Sequence, residues 1–268
     1  MSKIKEFLGS FTNVFSASVI PVAFIVSIIV FYMIMGDPSH FQGNDPENSP
    51  IPGDYFGTVY KGGFIVPILM TLLLTVITFS IERWLTIRKA SGKDNVLKFV
   101  RNIKNLLNRH QIDSAIEACE YQKGSVASVV RSALIKYQNL EPDTTMTKEQ
   151  KLLAIQKDVE EATSLELPAM EQNLVILATA TSVATLLGLL GTVLGMIRAF
   201  AAMANAGAPD SVALATGISE ALINTAFGIG TAALAVIMYN IYTSKIDKLV
   251  YSIDEAGFTI VQTYAANH

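Results

Sequence analysis

The 268-residue chain is 51% apolar and only 16% charged, with a formal net charge of −3. Its apolar residues fall in runs long enough to cross a bilayer, which excludes an ordinary soluble domain and points to a polytopic membrane protein. The weak negative charge gives no basis for a nucleic-acid partner, the single Cys119 excludes an intrachain disulfide, and His40, His110 and His268 are too scattered to suggest a metal site.

Residues 1–15 set Ile4, Phe7, Leu8, Phe11, Val14 and Phe15 at helical spacing among Lys3, Lys5 and Glu6. This is the pattern of a short amphipathic helix, lying on a membrane surface or packed on the protein's own polar part. A first transmembrane helix is predicted over 16–36. It is too long for the core of a signal peptide and lacks a clear cleavage motif, so it reads as a retained span. Residues 37–62 hold four of the nine prolines, with several Gly, Asp and Asn, and read as an exposed loop. A second span is predicted over 63–85, closing on Glu82-Arg83-Trp84, where Trp84 suits an interfacial anchor.

Residues 86–171 are soluble in composition and carry successive helical patterns, including Val96 to Leu107, Ile112 to Tyr121 and Ser125 to Tyr137. Cys119 sits within one of them and reads as a core residue. The last pattern starts near Lys148 and runs into the third span with no evident loop, with Pro168 as the place for a kink. Residues 172–268 then supply a third span near Leu177–Met203, a short loop around Gly207 and Pro209, a fourth span near Val212–Tyr239, and a helical tail. The fold class is therefore all-α: four transmembrane helices, extended by long helices into a helical cytoplasmic domain. The basic residues give the orientation. Two precede the first span, about fourteen follow the second and two lie in the tail, whereas the first loop has only Lys61. The positive-inside rule places both termini and residues 86–171 in the cytoplasm, and the first loop outside it or in a periplasm.

The chemistry concentrates on the last two spans. On the fourth, Thr216, Gly217, Glu220, Asn224, Phe227, Gly228 and Thr231 share one helical face; on the third, Thr181, Thr185, Gly188, Thr192, Gly195 and Ala199 do the same. Small residues at this spacing make a tight helix–helix seam with or without an ion. Glu220 asks for more, because a carboxylate within a membrane helix is costly and marks function. The plainer explanation, an acid favoured by the dipole of a first helical turn, fits poorly about ten residues past the loop. At ~1.5 Å per residue from a turn centred near Gly207, Thr192 lies roughly 22 Å deep, Glu220 roughly 20 Å and Thr225 roughly 27 Å. These three become the candidate ion path, with Thr181, Thr185, Gly188, Gly195, Thr216, Asn224 and Gly228 as secondary lining or seam. Burial disfavours the charged form of the acid, so the group suits proton exchange, or coordination of a hydrated cation with the hydroxyls. Arg198, the one basic residue within the apolar cores, is expected to snorkel to the interface; a partner's acid is its second reading.

Leu186-Leu-Gly-Leu-Leu-Gly-Thr-Val-Leu-Gly-Met196, Gly217-Ile-Ser-Glu-Ala-Leu-Ile-Asn-Thr225, Ala235-Val-Ile-Met-Tyr-Asn240 and Glu82-Arg83 resemble the MotA/TolQ/ExbB family of ion-driven motor stators, with ExbB nearest. The resemblance covers roughly Gly63 to the end. It implies a homopentamer around a dimer of a single-span ExbD/TolR-type partner that carries the protonated aspartate, acting with a TonB-like protein. The functional threonine of the family's GTV motif falls on Thr192, its glutamate on Glu220, and the later threonine on Thr225. The implied function is a motor subunit of the bacterial inner membrane, in contact with membrane lipids, that turns an H⁺ or Na⁺ gradient into mechanical work. The expected output is TonB-dependent outer-membrane transport, with TolQ-like envelope or MotA-like motility roles as alternatives; no cofactor and no enzymatic activity are expected. ExbB-type chains have one span fewer, and where the family has proline before each motif this chain has Thr185 and Thr216. A secondary transporter would need a wider set of intramembrane polar groups or internal repeats. A non-conducting scaffold would leave Glu220 unexplained.

Overall fold

The computed structural model describes residues 18–142, 144–204 and 211–267. The surface helix expected over 1–15 and the short loop around Gly207 lie outside the described residues. Everything described is helical apart from turns and one isolated bridge between Phe41 and Pro50. Four helices are long and apolar enough to cross a membrane. The chain divides into two compact units: Met1–Ser80 with Val175–Tyr239, and Ile81–Leu174 with Asn240–His268.

In the first unit, α1 (Ser18–Met35) ends in a π-helical turn over Val30–Met35. Gly36 N–H bonds Phe31 O at 2.9 Å and closes that turn. The wider turn presents Phe31 and Met35 to Val66 and Met70. Residues 37–62, expected as an exposed loop, are mostly exposed and form a folded cap. Asp37 caps a 3₁₀ turn at Pro38–His40, and Phe41 is fully buried. Asp54 caps the short helix α2 (Tyr55–Tyr60) and holds the His40 ring at 2.8 Å. The Gly57 N–H and the His40 ring together hold the Asp54 carboxyl below its ordinary range. The prolines and polar residues signalled chain reversal correctly; the apolar core under the turn rests on Phe41 and Tyr60, whose rings meet edge-on at 5.5 Å.

Helix α3 (Ile65–Ser91) follows the turn at Gly62-Gly63. Its Thr71 and Thr75 hydroxyls bond carbonyls one turn back, so they need no partner from another helix. Helices α8 (Leu174–Ala204) and α9 (Ser211–Asn267) complete the unit. On α8, Leu177, Ala180, Ala184, Gly188, Gly191, Gly195 and Ala199 are buried. They recur every three or four residues and form a single inner stripe. Leu186, Leu189, Val193, Ile197 and Phe200 stay exposed, so α8 keeps an apolar outer face.

In the second unit, α4 (Val96–Asn108) is capped by the Asn95 side chain and followed by α5 (Ile112–Gln122), α6 (Gly124–Leu140) and α7 (Lys148–Glu171). Thr147 and Gln150 form a reciprocal capping box at the start of α7. Helix α6 packs against both α5 and α7. Near the end of α9, Tyr264 meets the Tyr137 ring edge-on at 4.6 Å. Cys119 is buried in this core.

The sequence suggested a helix running unbroken through Pro168 into the third span. Instead, α7 continues through Pro168 and stops at Glu171. Asn173 turns the chain with φ +66°, and α8 starts at Leu174. Fixed side chains brace the break. Arg83, 1% exposed, donates to the carbonyls of Met170 at 3.1 Å and Ala169 at 3.4 Å and is forked onto Glu82.

Candidate ion-path site

The site lies in the first unit, where α8 and α9 touch through their backbones. A Cβ on Gly195 would lie 2.7 Å from Ala221 N and 2.8 Å from Gly217 O. One on Gly217 would lie 2.8 Å from Ala199 N, and one on Gly228 2.6 Å from Ala184 O. No real Cβ fits at such distances, so glycine at these positions sets how closely the helices approach. The seam expected from Gly188, Gly195 and Gly228 is therefore present, and the structure adds Gly191, seated against the Asn224 side chain. Its signal was in the motif, since Gly191 continues the three-to-four spacing between Gly188 and Gly195.

Close approach brings two side chains of the candidate path together. The hydroxyls of Thr192 and Thr225 bond each other across the seam. Carbonyl oxygens surround them: Gly188 O at 3.3 Å from Thr192 and 3.4 Å from Thr225, and Ala221 O at 3.4 Å from Thr192. Four oxygens thus converge on one point of the helix pair.

Glu220 belongs to a second cluster. Among the described residues its carboxylate bonds neither threonine; Arg198 Nη1 holds Oε1 at 2.6 Å and Oε2 at 2.9 Å. The Glu220 side chain is 7% exposed and that of Arg198 53%. Arg198, expected to snorkel to the interface, keeps half of its side chain exposed and also pairs with Glu220 of its own chain.

The start of α3 forms the third wall. Gly63 lies against the Glu220 carboxylate, with φ +74° and no room for a Cβ, which would lie 2.5 Å from Oε1. The next residue, Phe64, lies under the Arg198 guanidinium at 5.7 Å. Asn224 is fully buried, and its Nδ2 donates to Gly62 O at 2.9 Å while Oδ1 has no hydrogen-bond partner among the described residues. The sequence reading ended the first loop at Gly62 and missed this wall, although two adjacent glycines before an apolar helix mark a close backbone approach.

The remaining candidates do less. Thr181 and Thr185 bond carbonyls of their own helix at 3.1 and 3.0 Å. Thr216 is exposed and bonds Val212 O at 2.9 Å. No group of three or more His, Cys, Asp or Glu suited to a metal ion occurs among the described residues.

Residues 124–255 match the MotA/TolQ/ExbB proton channel family. The chain is similar to the putative biopolymer transport protein ExbB-like 3 of Synechocystis, at 36% identity over 88 residues, covering 32% of this chain and 42% of that protein. It is similar to the Tol-Pal system protein TolQ of Pseudomonas aeruginosa at 25% identity over 192 residues, covering 68% of this chain and 81% of that protein. With the biopolymer transport protein ExbB of Salmonella typhimurium it shares 39% identity over 70 residues, 26% of this chain and 29% of that protein. The match thus spans less than half of either of these two ExbB-named relatives and most of TolQ. The stretch that matches the MotA/TolQ/ExbB proton channel family takes in all of α8 and the site-bearing part of α9.

Proposed function

We propose that the chain is an ExbB-like channel and motor subunit of the inner membrane, with both termini in the cytoplasm. In this reading five copies surround an ExbD/TolR-like partner dimer, and ion flow past Thr192, Glu220 and Thr225 is converted into mechanical work on a TonB-like protein. H⁺ is the favoured ion and Na⁺ the alternative; no cofactor takes part. The observation that supports the reading is a buried carboxylate beside a cross-helix hydroxyl pair, on a seam too tight for side chains. Such a polar patch costs stability between apolar helices, which argues for a role beyond packing.

The test is reconstitution of the chain with its native partner in lipid vesicles, followed by ion flux under an imposed H⁺ or Na⁺ gradient. Flux in the wild type that Glu220→Gln abolishes supports the reading; a wild-type complex that carries neither ion defeats it. A TolQ-like role in the envelope is the second reading, favoured by the greater length over which TolQ matches. Identifying the co-purified partner separates the two outputs.

A further inference from the structure

Arg198 is the only charged residue of α8, and Glu220 the only one of α9 before Lys245. The two isolated charges are opposite in sign and bonded to each other. We infer that Arg198 is the resident counter-ion of Glu220: a positioning residue that holds the carboxylate in one orientation at its place in the ion path. The inference rests on the channel function proposed above and assigns that site a residue beyond its acid and threonines.

The geometry carries the argument. A charged side chain is tolerated at such low exposure only when it is paired. Arg198 Nη1 reaches both carboxylate oxygens and fixes the rotation of the group. Gly63 closes the opposite side, and Phe64 supports the guanidinium from its ring face. The clamp is one-sided. Nε and Nη2 bond nothing among the described residues, and half of the Arg198 side chain is open. A guanidinium held by one of its three nitrogens, with free donors at an open surface, can accept a second anion without leaving the first. A buried ion pair serving packing alone would use the whole fork.

Because a single nitrogen makes the contact, a lysine ammonium can replace it. The experiment compares ion flux of reconstituted Arg198→Lys and Arg198→Gln, each with the native partner and each checked for assembly by size-exclusion chromatography. Arg198→Gln is expected to lose flux ~10-fold or more, since it strands a buried charge. Arg198→Lys is expected to stay within about threefold of wild type, because positive charge and reach are kept. Arg198→Gln with flux equal to wild type overturns the inference, as does Arg198→Lys no better than Arg198→Gln. If Arg198→Gln does not assemble, Arg198→Lys decides alone: flux within about threefold of wild type supports the inference, and a loss of ~10-fold or more overturns it. A silent wild-type complex defeats the channel reading, whereas a conducting complex indifferent to residue 198 defeats only the counter-ion.

Discussion

Thr192 on α8 and Thr225 on α9 share a hydrogen bond between hydroxyls, at a point where the glycine stripe removes every side chain that could separate them. Each hydroxyl also has a backbone carbonyl within reach, so the pair keeps partners if its mutual bond is broken. Thr192→Val and Thr225→Val keep the shape and remove one hydroxyl each. Each is expected to cost about 1 kcal/mol of stability and to lower ion flux far more than that cost implies. Thermal unfolding in detergent together with vesicle flux checks this; equal, small losses in both would make the pair structural.

Glu220→Gln should separate assembly from activity. The variant leaves Arg198 without its anion, but that side chain is half open and can take water in exchange. The expected result is a protein that elutes from size exclusion as the wild type does, with flux lowered by roughly 100-fold or more. A changed elution together with lost flux would show that the acid holds the helices together.

The seam offers a contrast between two glycines of α9. Gly228→Ala puts a methyl 2.6 Å from Ala184 O and should cost roughly 1–3 kcal/mol through forced separation of α8 and α9. Gly230→Ala meets nothing within 4 Å and should stabilise the helix by up to about 1 kcal/mol. Melting temperatures of the two variants, measured side by side, test the assignment of each glycine to a face.

Asn224 has one satisfied and one unsatisfied end. Asn224→Leu removes the donor to Gly62 O and is expected to cost about 1–3 kcal/mol, through the carbonyl it leaves unpaired. Hydrogen exchange at the amides of residues 62–66 should rise in this variant and stay unchanged in Gly230→Ala.

Burial pushes the Cys119 thiol up to about 12 from 9.0. The thiol is therefore neutral in the folded protein across the physiological range and should resist alkylation there. A raised folded-state value contributes stability that is complete below pH 9 and lost as pH rises towards 12. Cys119→Ala should flatten stability over that window. Fast alkylation of the native protein at pH 8 would contradict the buried placement.

The long helices were legible because each carries an uninterrupted apolar run, and the α8 stripe because its small residues recur every three or four positions. The acid and both threonines could be named because polar groups stand out in such runs. Three features were hidden. The Arg198–Glu220 bond depends on the relative rotation of two helices, which spacing along either one leaves open. The break at Asn173 rests on one left-handed residue, whose asparagine side chain is compatible with many other conformations. The cap over 37–62 is built on Phe41 and Tyr60, two aromatics among polar residues whose inward side no short pattern reveals.

The turn at Gly62-Gly63 lies more than sixty residues before the stretch that matches the family, yet it closes one side of Glu220 and receives the Asn224 amide. The motif helices are thus only two sides of their own site. A chimaera that transplants α8 and α9 into a related protein would leave the carboxylate facing a foreign turn. The smallest exchangeable module of this site begins in the cap over 37–62, with a segment that has almost no side chains of its own.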